Sequence, residues 1–256
     1  QQVPYDVRGC RGYSRAMTSS APPSSKPAVL LLCGLLCDAA IWQPQRVALR
    51  DLADVQVMDF AGFDSITQMA AHVLAVAPPH FALAGHSMGG RVALDIMRQA
   101  PARVLRLALL DTGIAPRRAG EREERLALVR LAHAQGMQAL AQRWLPPMLH
   151  PDHSADSELM DGLMAMVQRH SAQSFAGQTN ALLERPDAGP VLAHITCPTL
   201  LGVGRQDAWS PLARHQDMAR HIPQARLAIF EHCGHMAPVE APAAVSDALR
   251  DWLQAA

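Results

Sequence analysis

A serine between glycines is the first place in this chain where chemistry is expected. Gly85-His86-Ser87-Met88-Gly89 fits the spacing G-x-S-x-G. The apolar run "FALAG" (81–85) precedes it, and the helical pattern "GGRVALDIMRQA" (89–100) follows. Between a strand and a helix, such a serine sits on a tight strained turn, where Gly85 and Gly89 are needed because a Cβ would clash. The turn lifts Oγ clear of the sheet, and the helix N-terminus favours developing negative charge. Ser87 is therefore a candidate nucleophile, and Gly90 leaves room for the helix to pack closely.

A serine hydroxyl attacks only with a base and an acid that orients the base. Asp207, in "LLGVGRQDAWSP" (200–211), lies in the loop after a strand. Asp111, after the strand "VLRLALLD" (104–111), is a competitor in an equivalent place. His235, in "FEHCGHMAPVEAP" (230–242), lies between the last strand and the last helix and is the candidate base. His86 and His232 are rivals by type, but His86 flanks the turn, so its side chain should point away from Oγ. His232 and His235 also have HxxH spacing, yet no third ligand is apparent, so no metal is expected.

These groups need elements to carry them. Short apolar or alternating runs at 28–34, 55–60, 81–85, 104–111, 199–204 and 225–230 read as strands. Helical patterns fill the gaps at 38–52, where Pro44 must sit early or interrupt the helix, at 65–77 with Ser65 as N-cap, at 89–100, and from about 211 to 221 and 242 to 254. This alternation predicts an α/β fold with a mostly parallel, doubly wound sheet. Residues 114–194 interrupt it with helical patterns at 124–145, 156–170 and 174–184. The expected division is a core of 28–113 and 195–256 with a helical lid, 114–194, over the carboxyl ends of the strands, where ligands bind in such sheets. Packing or dimerisation is the plainer role for that insertion.

The sequence resembles the α/β-hydrolase superfamily, in the branch with a short helical cap that includes small carboxylesterases, 3-oxoadipate enol-lactonases and meta-cleavage-product C–C hydrolases. The resemblance covers roughly residues 28–254 and rests on "GHSMGG" (85–90), "GRQDAWSP" (204–211), "CGHMAPVEAP" (233–242) and "LLLCGLLCDAAIW" (30–42). The order Ser…Asp…His agrees with it. It implies an α/β-hydrolase fold, a Ser87–His235–Asp207 triad and an oxyanion hole from the backbone N–H groups of Leu35 and Met88. Two departures stand out. Cys33-Gly34 replaces the His-Gly of many relatives, and the link "VMDFAGFDS" (57–65) is short, which changes one wall of the pocket entrance.

The implied activity is a serine carboxylesterase working through an acyl-enzyme, with a small ester or lactone as partner and no cofactor. A lactonase or C–C hydrolase acting on a carboxylate-bearing substrate is the alternative, and a buried lid arginine facing Ser87 would favour it. A non-catalytic receptor or scaffold on the same fold is the reading from another class, and a haloperoxidase-like activity could use the same triad. Trp144, Met148, Trp209 and Met236 are candidate pocket residues. Met137, Met160, Met164 and Met166 read mainly as lid core. Arg130, His133, Arg169, His170 and Arg185 are candidate carboxylate partners, each of a type more often found on a solvated or ion-paired surface.

Composition narrows the partners. Formal net charge is zero and aromatics make up 4%, which speaks against nucleic acid or an anionic membrane surface. No apolar run reaches the ~18 residues of a membrane span. Five scattered cysteines are no disulfide framework, and a reducing cytoplasm is expected. Residues 1–27 read as an Arg-, Ser- and Pro-rich extension without the apolar core of a secretory signal. Met17 is the expected natural start, with 1–16 as upstream sequence.

Overall fold

The computed structural model describes residues 26–255. Most of the 1–27 extension, with Met17 and Cys10, lies outside the described residues. The elements run β1 (Ala28–Leu32), α1 (Gln43–Leu49), β2 (Asp54–Met58), α2 (Ile66–Val76), β3 (Phe81–His86), α3 (Met88–Gln99) and β4 (Val104–Leu110). Then come four helices, α4 (Glu121–Trp144), α5 (Pro151–Ser154), α6 (Ser157–Gln168) and α7 (Ala172–Leu183). Alternation resumes with β5 (Thr199–Gly204), α8 (Leu212–His221), β6 (Ala225–Phe230), α9 (Ala237–Glu240) and α10 (Pro242–Gln254).

The six strands form one sheet in the order β2-β1-β3-β4-β5-β6, and every pairing is parallel. β3 and β5 are buried at every position, whereas the edge strands β2 and β6 are half-exposed. That pattern follows from a sheet covered by helices on both faces. α1 packs against α10, and α2 against α3.

Local chemistry sets the helix ends. α1 begins only at Gln43 because Pro44 is suited to the first turn, so it is shorter than the helix expected over 38–52. Ser65 caps α2 by accepting from the Gln68 N–H, and Asp156 and Ser171 cap α6 and α7 in the same way. The pattern at 124–145 is not one continuous helix, because Gly136 breaks α4 with φ 84° and ψ 173°. A side chain there would be strained, so the break belongs to glycine. Among the described residues no helix is long and apolar enough to cross a membrane.

Candidate active site

Among the described residues four non-glycine residues have left-handed φ: Leu36 after β1, Ser87 after β3, Asp111 after β4 and His232 after β6. All four follow strand carboxyl ends, where strained backbone commonly marks a functional site. At Ser87 (φ 55°, ψ −115°) the chain turns directly from β3 into α3. A Cβ on Gly85 would lie 2.3 Å from the Gly89 oxygen, and one on Gly89 would lie 2.3 Å from the Leu32 oxygen. Gly89 therefore makes the close approach of α3 to the end of β1, and Gly90 the close approach to the segment after β4. A Cβ on Gly90 would meet Thr112, whose hydroxyl donates to the Ser87 carbonyl at 2.7 Å.

The three residues expected to act together form one hydrogen-bonded chain. Ser87 Oγ is 2.8 Å from His235 Nε2, and His235 Nδ1 is 2.8 Å from Asp207 Oδ2. The other Asp207 oxygen accepts from the backbone N–H groups of Trp209 (2.8 Å) and Ser210 (2.9 Å). Burial by itself would raise this carboxyl. The facing His235 and the two amides outweigh it and hold Asp207 down to about 2. A carboxylate accepts only, so Nδ1 of His235 carries the hydrogen and Nε2 offers its lone pair to the serine hydroxyl.

The competing acid and histidines are placed elsewhere. Asp111 accepts from the Gly204 N–H at 2.9 Å. Burial first, then neighbouring Asp207, push its carboxyl well above the usual range and favour the protonated form. His232 is exposed and packs its ring edge-on against His150. His86 does not reach Ser87 Oγ. Its Nε2–H donates to the His235 carbonyl at 2.7 Å and so steadies the loop of the candidate base. Among the described residues no group of three or more His, Cys, Asp or Glu is arranged to hold a metal ion.

Several supporting residues were not legible in the sequence. Glu240 accepts from the Gly234, Met236 and His150 N–H groups and meets the His153 ring, tying the His235 loop to the segment before α6. Only its place in "CGHMAPVEAP", five residues after His235, hinted at this. Gln178 of α7 accepts from the Leu36 N–H at 2.9 Å and anchors the loop that carries Leu35. His215 Nε2 accepts from the Thr112 N–H at 3.1 Å.

His86 and His215 are both buried as neutral rings. Burial first lowers His86 to about 3 and His215 to about 4. Both folded values lie below the ordinary histidine value, so the unfolded chain binds more protons and stability decreases as the pH is lowered. The contribution is complete above about pH 6.5 and is lost as pH drops toward 4 and then 3. Each such proton contributes about 1.4 kcal/mol per pH unit. Asp111, protonated in the fold, opposes one of the two histidines, so urea unfolding is expected to show ΔG falling by roughly 1 kcal/mol per unit between pH 6 and 5. A flat profile from pH 7 to 5 would contradict this.

A cavity of about 410 Å³ opens between these strand ends and the helical segment. Leu35, Met88, Trp144, Met148, Trp209 and Met236 all line it beside Ser87 and His235. Of the methionines between β4 and β5, only Met148 does so. Met137, Met160 and Met164 pack against the core, and Met166 is buried. Of the five candidate carboxylate partners, Arg185 alone reaches the cavity. Arg169 pairs with Asp38, and Arg130 and His133 are exposed. Arg91, Arg118, Arg125 and Arg214 line it as well and were not singled out.

Comparison with known proteins agrees with this architecture. The chain is 31% identical to a putative carbamate hydrolase RutD of Variovorax paradoxus, over 90% of this chain and 93% of that protein. It is 28% identical to a pimeloyl-[acyl-carrier protein] methyl ester esterase of Nitrosomonas europaea, over 82% of this chain and 88% of the relative. A thermophilic esterase from Thermogutta terrifontis, solved with malate bound, superposes with a TM-score of 0.80 at 29% identity, covering 89% of each chain. The profile of the alpha/beta hydrolase family matches residues 3–248, nearly the whole sequence. With strand order, turn and cavity all of one kind, the chain belongs to the alpha/beta hydrolase family.

Proposed function

We propose that this protein is a serine hydrolase that cleaves carboxylic esters through an acyl-enzyme on Ser87. The observation that carries the reading is the unbroken Ser87–His235–Asp207 hydrogen-bond chain opening into the cavity. Esterases among the relatives support it. Ser87 Oγ attacks the ester carbonyl while its proton passes to His235 Nε2. Asp207 holds the imidazole and stabilises its positive charge without itself being protonated. The oxyanion is held by the N–H groups of Leu35 and Met88, and one such donor is typically worth ~3–4 kcal/mol in the transition state. His235 gives its proton to the departing alcohol. It then takes one from water, which attacks the acyl-serine and frees the acid.

In this reading the helices between β4 and β5 act as the lid, and the core is 28–113 with 195–256. Cys33, Cys37, Cys197 and Cys233 carry free thiols, which suits a reducing compartment such as the cytoplasm. A p-nitrophenyl ester series from acetate to decanoate tests the reading, together with a fluorophosphonate probe mapped by mass spectrometry. The expected result is turnover of at least one ester and a single stoichiometric adduct on Ser87. Absence of hydrolysis across the series, or an adduct on another residue, would overturn it.

A further inference from the structure

Two residues after the candidate acid, in "GRQDAWSP", stands Trp209. Among the described residues the exposed large hydrophobic side chains are those of Val47, Val76, Leu105 and Trp209, and of these only Trp209 lines the cavity. It is 37% exposed, although aromatic side chains gain most from burial. Single exposed hydrophobic residues are ordinary on a protein surface. One that borders the cavity holding Ser87 and His235 is a different matter, because the surface left open there is surface that a substrate covers.

The group that orients the candidate base also fixes this residue. Asp207 Oδ1 accepts from the Trp209 N–H at 2.8 Å and from the Ser210 N–H at 2.9 Å, while Asp207 Oδ2 meets His235 Nδ1 at 2.8 Å. One carboxylate thus sets both the imidazole and the backbone from which the indole projects. The two rings have centroids 6.3 Å apart and are tilted by 38°. Among the described residues one other ring meets His235, that of His86, with centroids 5.5 Å apart. His86 is fully buried and bonded to the His235 carbonyl, so it backs the imidazole from inside the fold. Trp209 is the ring beside His235 that reaches solvent.

The order of proton transfers says which part of a substrate comes to that ring. A tetrahedral carbon on Ser87 carries four groups: Oγ, the oxyanion, the acyl chain and the leaving oxygen. The oxyanion turns to the N–H groups of Leu35 and Met88. The leaving oxygen must come within hydrogen-bond reach of His235 Nε2, which returns the proton taken from Ser87. The carbon skeleton of the alcohol then passes the imidazole on its open side, where the indole stands. We infer that Trp209 is the platform for the leaving alcohol and that the preferred substrates are esters of aromatic alcohols, whose ring packs against the indole. A saturated group would gain only the burial of its area there. An aromatic ring adds the favourable offset or edge-on geometry of paired rings, worth about 2- to 10-fold beyond area. This inference rests on the serine-hydrolase reading for the direction of the leaving oxygen, but the aromatic site can be tested apart from it.

Benzyl acetate and cyclohexylmethyl acetate form the same acetyl-enzyme and differ only in whether the alcohol's ring is aromatic. Deacylation is common to both, so their ratio of kcat/KM reports the alcohol side alone. Wild type is expected to prefer the benzyl ester by about 2- to 10-fold. Trp209→Leu, which keeps an apolar side chain without the ring, is expected to bring the ratio close to one, and Trp209→Phe to retain part of it. Methyl phenylacetate and methyl cyclohexylacetate carry the same rings on the acyl side, and their ratio should not respond to residue 209. Saturation-transfer NMR on the Ser87→Ala protein should show contact with benzyl alcohol that weakens in the Ser87→Ala/Trp209→Leu protein. Equal rates on the two acetates in wild type, a ratio or a benzyl alcohol contact indifferent to residue 209, or a change in the acyl pair instead, would overturn the proposal. If no ester turns over yet benzyl alcohol binds through Trp209, the aromatic site stands and the esterase reading falls.

Discussion

Ser87→Ala is expected to lower kcat/KM for a good p-nitrophenyl ester by about 10⁵-fold or more, the scale on which serine nucleophiles act in such triads. The size follows from what is removed. In the proposed mechanism Oγ is the attacking atom, and it is the hydrogen-bond donor to His235 at 2.8 Å. Without it no acyl-enzyme can form, and only the oxyanion donors and the cavity remain. The fold should persist. Alanine meets the same φ of 55° that serine already tolerates, and the turn is held by backbone bonds that the substitution does not touch. Ser87 N–H donates to the Leu110 carbonyl at 2.9 Å, and Thr112 donates to the Ser87 carbonyl at 2.7 Å. Steady-state kinetics beside circular dichroism and thermal melts decide the matter. Activity within a hundredfold of wild type, from a protein that melts normally, would remove Ser87 from the mechanism.

What the sequence made legible was local, and what it hid was set by tertiary contact. The turn at Ser87 could be read because its causes are neighbours in sequence: an apolar run, two glycines and a helical pattern. Each strand was likewise legible as a short apolar segment between turn residues, and β5 and β6 fall where their patterns place them. Asp207 was the preferred acid and Asp111 its competitor, but local pattern alone did not distinguish them, because both follow a strand. The difference between them is which faces the His235 ring and which accepts from Gly204, and only the packed sheet decides that. Arg91 was hidden for a related reason. In "GGRVALDIMRQA" it looks like one polar position on an amphipathic helix, and only the tertiary fold places it on the cavity wall beside Arg185. His86 was set aside as the base, and its bond to the His235 carbonyl spans 149 positions and leaves no local trace.

Asp207→Asn is expected to lower kcat about 10⁴-fold with little loss of structure, the scale seen when a triad acid becomes an amide. The cause is a tautomer. Asp207 Oδ1 accepts from the Trp209 and Ser210 N–H groups, so the carbonyl oxygen of an asparagine must take that side. Its NH₂ then faces His235 and can only donate. His235 Nδ1 must become an acceptor, which moves the ring hydrogen to Nε2 and points it at Ser87 Oγ. The lone pair that should take the serine proton is gone, although every heavy atom stays in place. The imidazolium formed during attack also loses the carboxylate that stabilises it. Asp111→Asn makes the contrast. That side chain already favours its neutral form, and an amide oxygen can still accept from the Gly204 N–H. Its expected effect on kcat is less than about tenfold, because it makes no bond to the His235 ring. Equal losses at the two positions would mean that the acids act as a pair. A small loss at Asp207 with a large one at Asp111 would transfer the orienting role to the strand end that was its rival in the sequence.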